Sequence, residues 1–281
     1  MRRLATTFPD RATLESALDV AARAPSLRNL QPWRWQVGAD AMHLYADWSR
    51  RAGDSPADRR DVLLGCGAVL DHCVVALAAA GWHPRVRRLP DRGDDSHLAI
   101  LEVVEQPPRP ADLELASAIT RRRADRRPYR AEPMAEGTLE TLYIRAARMG
   151  VQLGVVPRSR WARLDEGAVA LRYPSGTVAG ADDAVLLVLG TSVDDDGMRL
   201  RAGEVLSHLT LTATAMGLAN CPLTEPLNDV GAHLALACEV FDGEAHPQAL
   251  LRVGLACSDT DAPPATERRP VGEVTTWAQT A

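Results

Sequence analysis

Residues 67–82 read "GAVLDHCVVALAAAGW" and residues 203–218 read "GEVLSHLTLTATAMGL". At one constant offset they match at Gly67/Gly203, Val69/Val205, Leu70/Leu206, His72/His208, Ala79/Ala215 and Gly81/Gly217. Each stretch is apolar along its length, ends on glycine and precedes strand-like sequence. Two alanine-rich helices can share some letters by chance. A duplicated unit accounts for more, and predicts two related α+β halves packed about a pseudo-twofold axis. It also accounts for the length, because 281 residues are long for one core and short for two ordinary independent domains.

Other elements fall on either side of these helices. In "RATLESALDVAARA" (11–24), Leu14, Ala17, Leu18 and Ala21 recur at helical spacing, with Asp10 as N-cap and Pro25 as the stop. "WRWQV" alternates, and "GAD" before "AMHLYAD" predicts a hairpin, with Trp33 and Trp35 on one core-facing side. The first long helix is expected from about Ser55 to Ala80, followed by strands in "HPRVRRL" and "SHLAILEVV". The proline-rich "EQPPRPAD" is the expected boundary, giving halves 1–106 and 107–281. In the second half, helices are expected near 112–121 and 138–149, and strands in "VQLGVVP", "DDAVLLVLGT" and "QALLRVGLA". The tail beyond Ser258 has little periodicity and is expected to lie along the surface.

Composition narrows the function. The net charge is −5 and all 32 basic residues are arginine, a balance that argues against nucleic acid as the main partner. No wholly apolar run approaches the ~20 residues of a membrane span, and "MRRLATTFPD" lacks a signal-peptide core. The five cysteines form no C-x-x-C pair, and the seven histidines form no H-x-x-x-H pair. A reduced, cytoplasmic protein without a metal site is the expectation. Neither G-x-S-x-G nor a P-loop is present, so hydrolase and NTPase readings lack an anchor.

Two stretches carry chemistry. "APSLRNLQPWRWQ" (24–36) sets Ser26, Asn29 and Gln31 between prolines, and its two amides each donate and accept on what reads as an extended segment. "RRRADRRPYR" (121–130) puts six arginines in ten residues of an acidic chain. It reads either as a solvated basic loop or as a phosphate clamp of guanidinium forks. A ligand with a heterocycle at one end and a phosphate at the other would use both stretches.

With these residues in view, the chain resembles the FMN-dependent nitroreductase family. "APSLRNLQPW" is similar to its A-P-S-S-x-N-x-Q-P-W segment, and "RRRADR" to its R-R-S-x-R phosphate segment. "GLANCPLTEP" resembles its G-L-x-x-C-P-x-x-G loop near the flavin ring, and "RRPVGEV" (268–274) its C-terminal basic segment. The motifs occur in family order over most of residues 20–275. The first half holds A-P-S-x-x-N-x-Q-P-W, while the arginines, the C-P loop and the tail come later. This division resembles the Acg-like branch, in which one chain imitates the nitroreductase dimer.

The resemblance implies a nitroreductase-like α+β fold with one non-covalent FMN at the interface of the halves. Pro25, Ser26, Leu27, Asn29 and Gln31 would line the ring and ribityl side. Arg122, Arg123 and Arg126, with Arg268 or Arg269, would hold the phosphate. Pro222, Leu223 and Thr224 would flank the redox edge, where a backbone N–H near flavin N5 tunes it. Ala124, Leu27 and Glu225 depart from the family pattern, and Glu225 would add negative charge beside the ring. The segment from Leu164 to Asp182 is shorter than the lid of Acg-like chains, which implies a more open pocket. The implied activity is electron transfer from a reduced nicotinamide, NAD(P)H, through FMN to a small nitroaromatic, quinone or other conjugated acceptor. No obligatory catalytic side chain is implied. The rival reading is a non-catalytic protein that stores or sequesters FMN. Either reading suits a monomeric pseudo-dimer or a homodimer, without membrane or nucleic-acid partners.

Overall fold

The structure, a computed structural model, describes residues 8–165, 168–172, 182–256 and 262–278. The chain divides into two compact units. One runs to Thr120 and takes in the chain from Glu267 onward; the other is Arg121–Thr266.

In the first unit, α1 (Arg11–Ala21) starts on Asp10, whose carboxylate accepts the Thr13 N–H. Strands β1 (Trp33–Val37) and β2 (Met42–Ala46) form the expected hairpin, with Trp33 and Trp35 buried. Helix α2 (Pro56–Ala79) follows, opened by a reciprocal capping box between Ser55 and Asp58. Strands β3 (Trp82–Arg88) and β4 (His97–Glu105) complete an antiparallel sheet in which β1, β2, β4 and β3 are neighbours in that order. α2 packs across this sheet and α1 packs on α2. By length and composition alone α2 passes as a membrane span, but 89% of its apolar window is buried: it is a core helix.

Helix α3 (Pro110–Arg121) lies beyond the proline-rich connector. His83 Nε2 of β3 is 3.7 Å from Asp112 Oδ2 of α3, which ties nearly all of that helix to the first unit. The division therefore falls after Thr120, whereas the sequence suggested 106/107.

The second unit opens with α4 (Thr138–Arg148), β5 (Gln152–Val155), and a small hairpin of β6 (Trp161–Arg163) and β7 (Val169–Leu171). Then come β8 (Val185–Thr191), α5 (Asp196–Ala215), β9 (Ala219–Leu223), α6 (Val230–Phe241) and β10 (His246–Gly254). Its sheet has the order β5, β8, β10, β9, every pair antiparallel. α5 packs across the sheet and α4 packs on α5.

Taken separately, the two units have one topology. Helix, strand, strand, long helix, strand, strand appears in each, and the last two strands exchange places in the sheet in each. The repeat noted in the sequence thus marks α2 and α5, the central helix of each unit. Both helices end alike. Gly81 (φ 87°) and Gly217 (φ 77°) take the left-handed conformation that closes a helix, which only glycine adopts without strain. The units differ in their additions: the β6–β7 hairpin and α6 in the second, and α3 and the chain's end in the first.

That end lies at the surface over residues 262–273, as expected, but its last described residues are built into the first unit. Helix α7 (Val271–Val274) packs on α1 and β1, and β11 (Thr275–Trp277) pairs in parallel with β1, placing Thr275 opposite Trp35. Val274 and Thr275 are buried. The basic segment 268–274 therefore belongs to the first unit, not with the arginine-rich stretch and the C-P loop.

Candidate functional site

The segment after α1 is not extended. Residues Leu27–Asn29 form a 3-10 turn, and Arg28 (φ 47°), Asn29 (φ 57°) and Gln31 (φ 49°) all sit in the left-handed region. Three non-glycine residues held there represent stored backbone strain, a pattern concentrated at functional sites. Contacts from behind over-determine the turn. Ser26 Oγ accepts the Gln31 N–H at 2.9 Å, and Leu30 O accepts Arg50 Nε at 2.5 Å. Gly65 of α2 lies so close that a Cβ there would come within 3.2 Å of Ser26 Cβ and 3.3 Å of Pro32 Cγ.

The two amides clasp the returning chain end. Asn29 Nδ2 donates to Glu267 O (3.0 Å), and buried Gln31 accepts the Arg269 N–H on Oε1 (2.9 Å) while Nε2 donates to Asn29 O (3.2 Å). Arg268 Nη2 donates to the carbonyls of Arg23 and Ala24, just before Pro25. Arg269 Nε lies 3.5 Å from Glu273 Oε2, and its Nη1 is buried with no hydrogen-bond partner. The first unit thus brings together Pro25, Ser26, Leu27, Asn29, Gln31, Arg268 and Arg269. Pro25 and Leu27 are half-buried.

The second unit brings together the remaining residues. Ala124 bridges Asn220 at the start of β9, and the Asp125 N–H donates to Asn220 O at 2.9 Å. The arginine-rich segment therefore runs beside the strand that carries Pro222 and Leu223 and is followed directly by Thr224. Arg122 is buried, and Arg123 donates to Pro263 O (3.1 Å) and Arg122 O (2.8 Å). Arg126 Nη2 lies 3.7 Å from Glu225 Oε1, and both side chains are largely exposed. Glu225 Oε2 in turn accepts the Thr224 N–H at 3.2 Å. Of the backbone N–H groups in the Pro222–Thr224 stretch, that of Thr224 is thus capped by this carboxylate.

β9 is an edge strand, which explains why it tolerates Pro222. The Leu223 side chain packs in the core of the second unit, so only its main chain faces outward chemistry. Burial pushes the Cys221 thiol up to about 11, which keeps it protonated and unreactive at neutral pH. Asp125 is pushed up by burial, but hydrogen bonds from the Arg127 guanidinium and N–H outweigh this and hold it below its ordinary value. Among the described residues, no three His, Cys, Asp or Glu side chains gather to hold a metal ion. Cys257 and most of the segment between Leu164 and Asp182 lie outside the described residues.

The sequence reading missed Arg252 and Asp182. Both are fully buried, with Arg252 Nε 3.1 Å from Asp182 Oδ2. The available signal was an arginine inside the otherwise apolar "QALLRVGLA". It also missed the grip of Asn29 and Gln31 on the chain end, which no local pattern encodes.

An α+β unit of this topology occurs twice, with a strained A-P-S turn in one copy and an arginine segment against a C-P strand in the other, which is consistent with the nitroreductase resemblance of the motifs. No family model matches the chain. It is 39% identical, over 98% of its length and 94% of the relative's, to the Mycobacterium tuberculosis (H37Rv) protein named "Putative NAD(P)H nitroreductase Rv3131". It is 33% identical, over 93% of its length and 94% of the relative's, to that organism's "Putative NAD(P)H nitroreductase acg". A crystal structure described as a putative nitroreductase from Anabaena variabilis shares the fold, with a TM-score of 0.60 and 11% identity over 89% of this chain and 90% of that one. The chain belongs to the nitroreductase family, in its Acg-like branch.

Proposed function

We propose that this protein is an FMN-dependent NAD(P)H oxidoreductase of the nitroreductase type, passing electrons to a nitroaromatic, quinone or other conjugated small-molecule acceptor. The observation that carries this reading is the second unit's pairing of the arginine segment, through Ala124 and Asp125, with Asn220 of β9, the strand that leads into Thr224 and Glu225. That pairing supports a phosphate clamp beside a ring-facing loop. The names of the relatives Rv3131 and acg, as NAD(P)H nitroreductases, support the donor.

The residues fit the cofactor. Guanidinium groups match phosphate oxygens, and the buried, unpartnered Arg269 Nη1 is a donor whose burial without a partner is costly. In this proposal Arg122, Arg123 and Arg126, with Arg268 or Arg269, hold the phosphate. Pro25, Ser26, Leu27, Asn29 and Gln31 with Pro222, Leu223 and Thr224 surround the ring and ribityl chain. Bound flavin supplies the hydride chemistry; the protein supplies binding, orientation and a charged neighbourhood.

The test is the visible spectrum of the purified protein with released FMN quantified per chain, followed by NADH and NADPH oxidation against a quinone panel. About one FMN per chain and an acceptor-dependent rate are expected. A protein that cannot be loaded with FMN overturns the proposal. Bound flavin without turnover reduces it to flavin storage.

A further inference from the structure

Burying an arginine inside a sheet costs free energy that a hydrophobic residue would not, so its presence there calls for a reason beyond packing. Arg252 stands near the end of β10, between Leu186 of β8 and Cys221 of β9. It is the only charged residue in that nine-residue strand apart from the terminal His246 when protonated. Its guanidinium reaches the underside of the arginine-rich segment. Nη1 is 3.5 Å from Arg126 O, Nη2 donates to Arg127 O, and the group lies over the Tyr129 ring at 4.1 Å. Asp182, its ion-pair partner, accepts the Tyr129 N–H (3.1 Å) and the Ala184 N–H (3.3 Å) on Oδ1. Tyr129 closes the ring by donating its hydroxyl to Asp125 O at 2.8 Å.

The main chain of residues 125–129 is thus held at four points by one buried set of three side chains. Asn220 O adds a fifth, accepting the Asp125 N–H. An ammonium in place of the guanidinium has neither a planar face to lie on tyrosine nor a fork to reach two carbonyls and a carboxylate at once. The grip works from the core side, which leaves the side chain of Arg126 outside.

We infer that Arg252, Asp182 and Tyr129 are positioning residues that fix the arginine segment in the conformation in which it binds a phosphate group. The phosphate part of this inference rests on the function proposed above; the anchoring part does not.

The test uses Arg252→Lys, which keeps the charge facing Asp182 but loses the fork. It also uses Arg252→Met with Asp182→Asn, which removes both charges and keeps an acceptor for the Tyr129 and Ala184 N–H groups. Leu250→Ala, at a fully buried position of the same strand, is the control for simple loss of stability. Trypsin cleavage after Arg121, Arg122, Arg123 and Arg126, followed by mass spectrometry on the full chain, reads the segment without any ligand. At least a tenfold faster cleavage there is expected in both Arg252 variants and not in the control. FMN titration reads the phosphate role, and an affinity loss of about tenfold or more is expected in the same variants, again not in the control. Unchanged cleavage in both Arg252 variants overturns the anchor. Faster cleavage with unchanged FMN affinity overturns the phosphate role, as does an equal affinity loss in the control. If the native protein itself takes up no FMN, the proposed function fails, and cleavage alone decides the anchor.

Discussion

Gln31 Oε1 accepts a hydrogen bond from the main-chain N–H of Arg269, 2.9 Å away and 238 residues along the chain. With Asn29 Nδ2 on Glu267 O, it makes the A-P-S turn the seat of the chain end. Gln31 is buried, so truncating it leaves the Arg269 N–H without an acceptor. Gln31→Ala is expected to cost about 1–3 kcal/mol of stability. Hydrogen exchange at the Arg269 amide should accelerate along with that loss. An exchange rate at Arg269 equal to that of the native protein would show that this contact does not hold the chain end.

Arg122 and Asn29 separate the two ends of the proposed cofactor site. Arg122→Ala is expected to weaken FMN retention by roughly 1.5–3 kcal/mol, the scale of hydrogen bonds to a charged group. Asn29→Ala should weaken it less, because the Asn29 amide is already committed to Glu267 O. Flavin content and dissociation constants of the two variants check this. Unchanged values in both would remove these residues from the site.

Much of this was legible in the sequence because it is local. The cap at Asp10, the start of α2 near Ser55, the glycines that close α2 and α5, and the buried Trp33 and Trp35 all follow from short-range rules. The repeat between the central helices disclosed the shared topology of the units. The remainder depends on contacts between distant residues. Nothing near "RRPVGEV" says that its strand will join β1 rather than lie with the second unit. The sequence suggests an extended segment at residues 27–31 because the left-handed residues there are not glycines. Their conformation is set by Ser26, Arg50 and the chain end rather than by propensity. Arg252 was hidden inside a strand pattern that its neighbours made convincing.

Glu225 stands where the family's loop has glycine, and its carboxylate both caps the Thr224 N–H and faces Arg126. A negative charge beside a flavin opposes the addition of electrons. Glu225→Gln is therefore expected to raise the reduction potential of bound FMN. Because Arg126 offsets part of the charge and both groups are exposed, the change should be about 1 kcal/mol, or about 20 mV for a two-electron couple. Equilibration with a reference dye during slow reduction measures it. A potential that is unchanged or lower would place the carboxylate away from the ring.

Asp194 supplies a pH test of the second unit that needs no cofactor. Hydrogen bonds from Arg199, at 2.8 and 2.9 Å, dominate its environment, with Gln248 Nε2 donating at 3.0 Å. Together they outweigh burial and bring the carboxyl down to about 2. In the unfolded chain an aspartate titrates near ~3.9. Because the folded value is the lower one, the contribution to stability is fully present above about pH 4 and disappears as pH falls toward 2. Asp194→Asn should be less stable than the native protein at neutral pH, well above both titrations at roughly 2 and 4. The margin should then shrink on further acidification as the native carboxylate takes up its proton. Denaturant unfolding of both proteins from neutral to acidic pH checks the sign. A margin that widens in acid would mean that Asp194 is not held as a carboxylate by Arg199 in the folded protein.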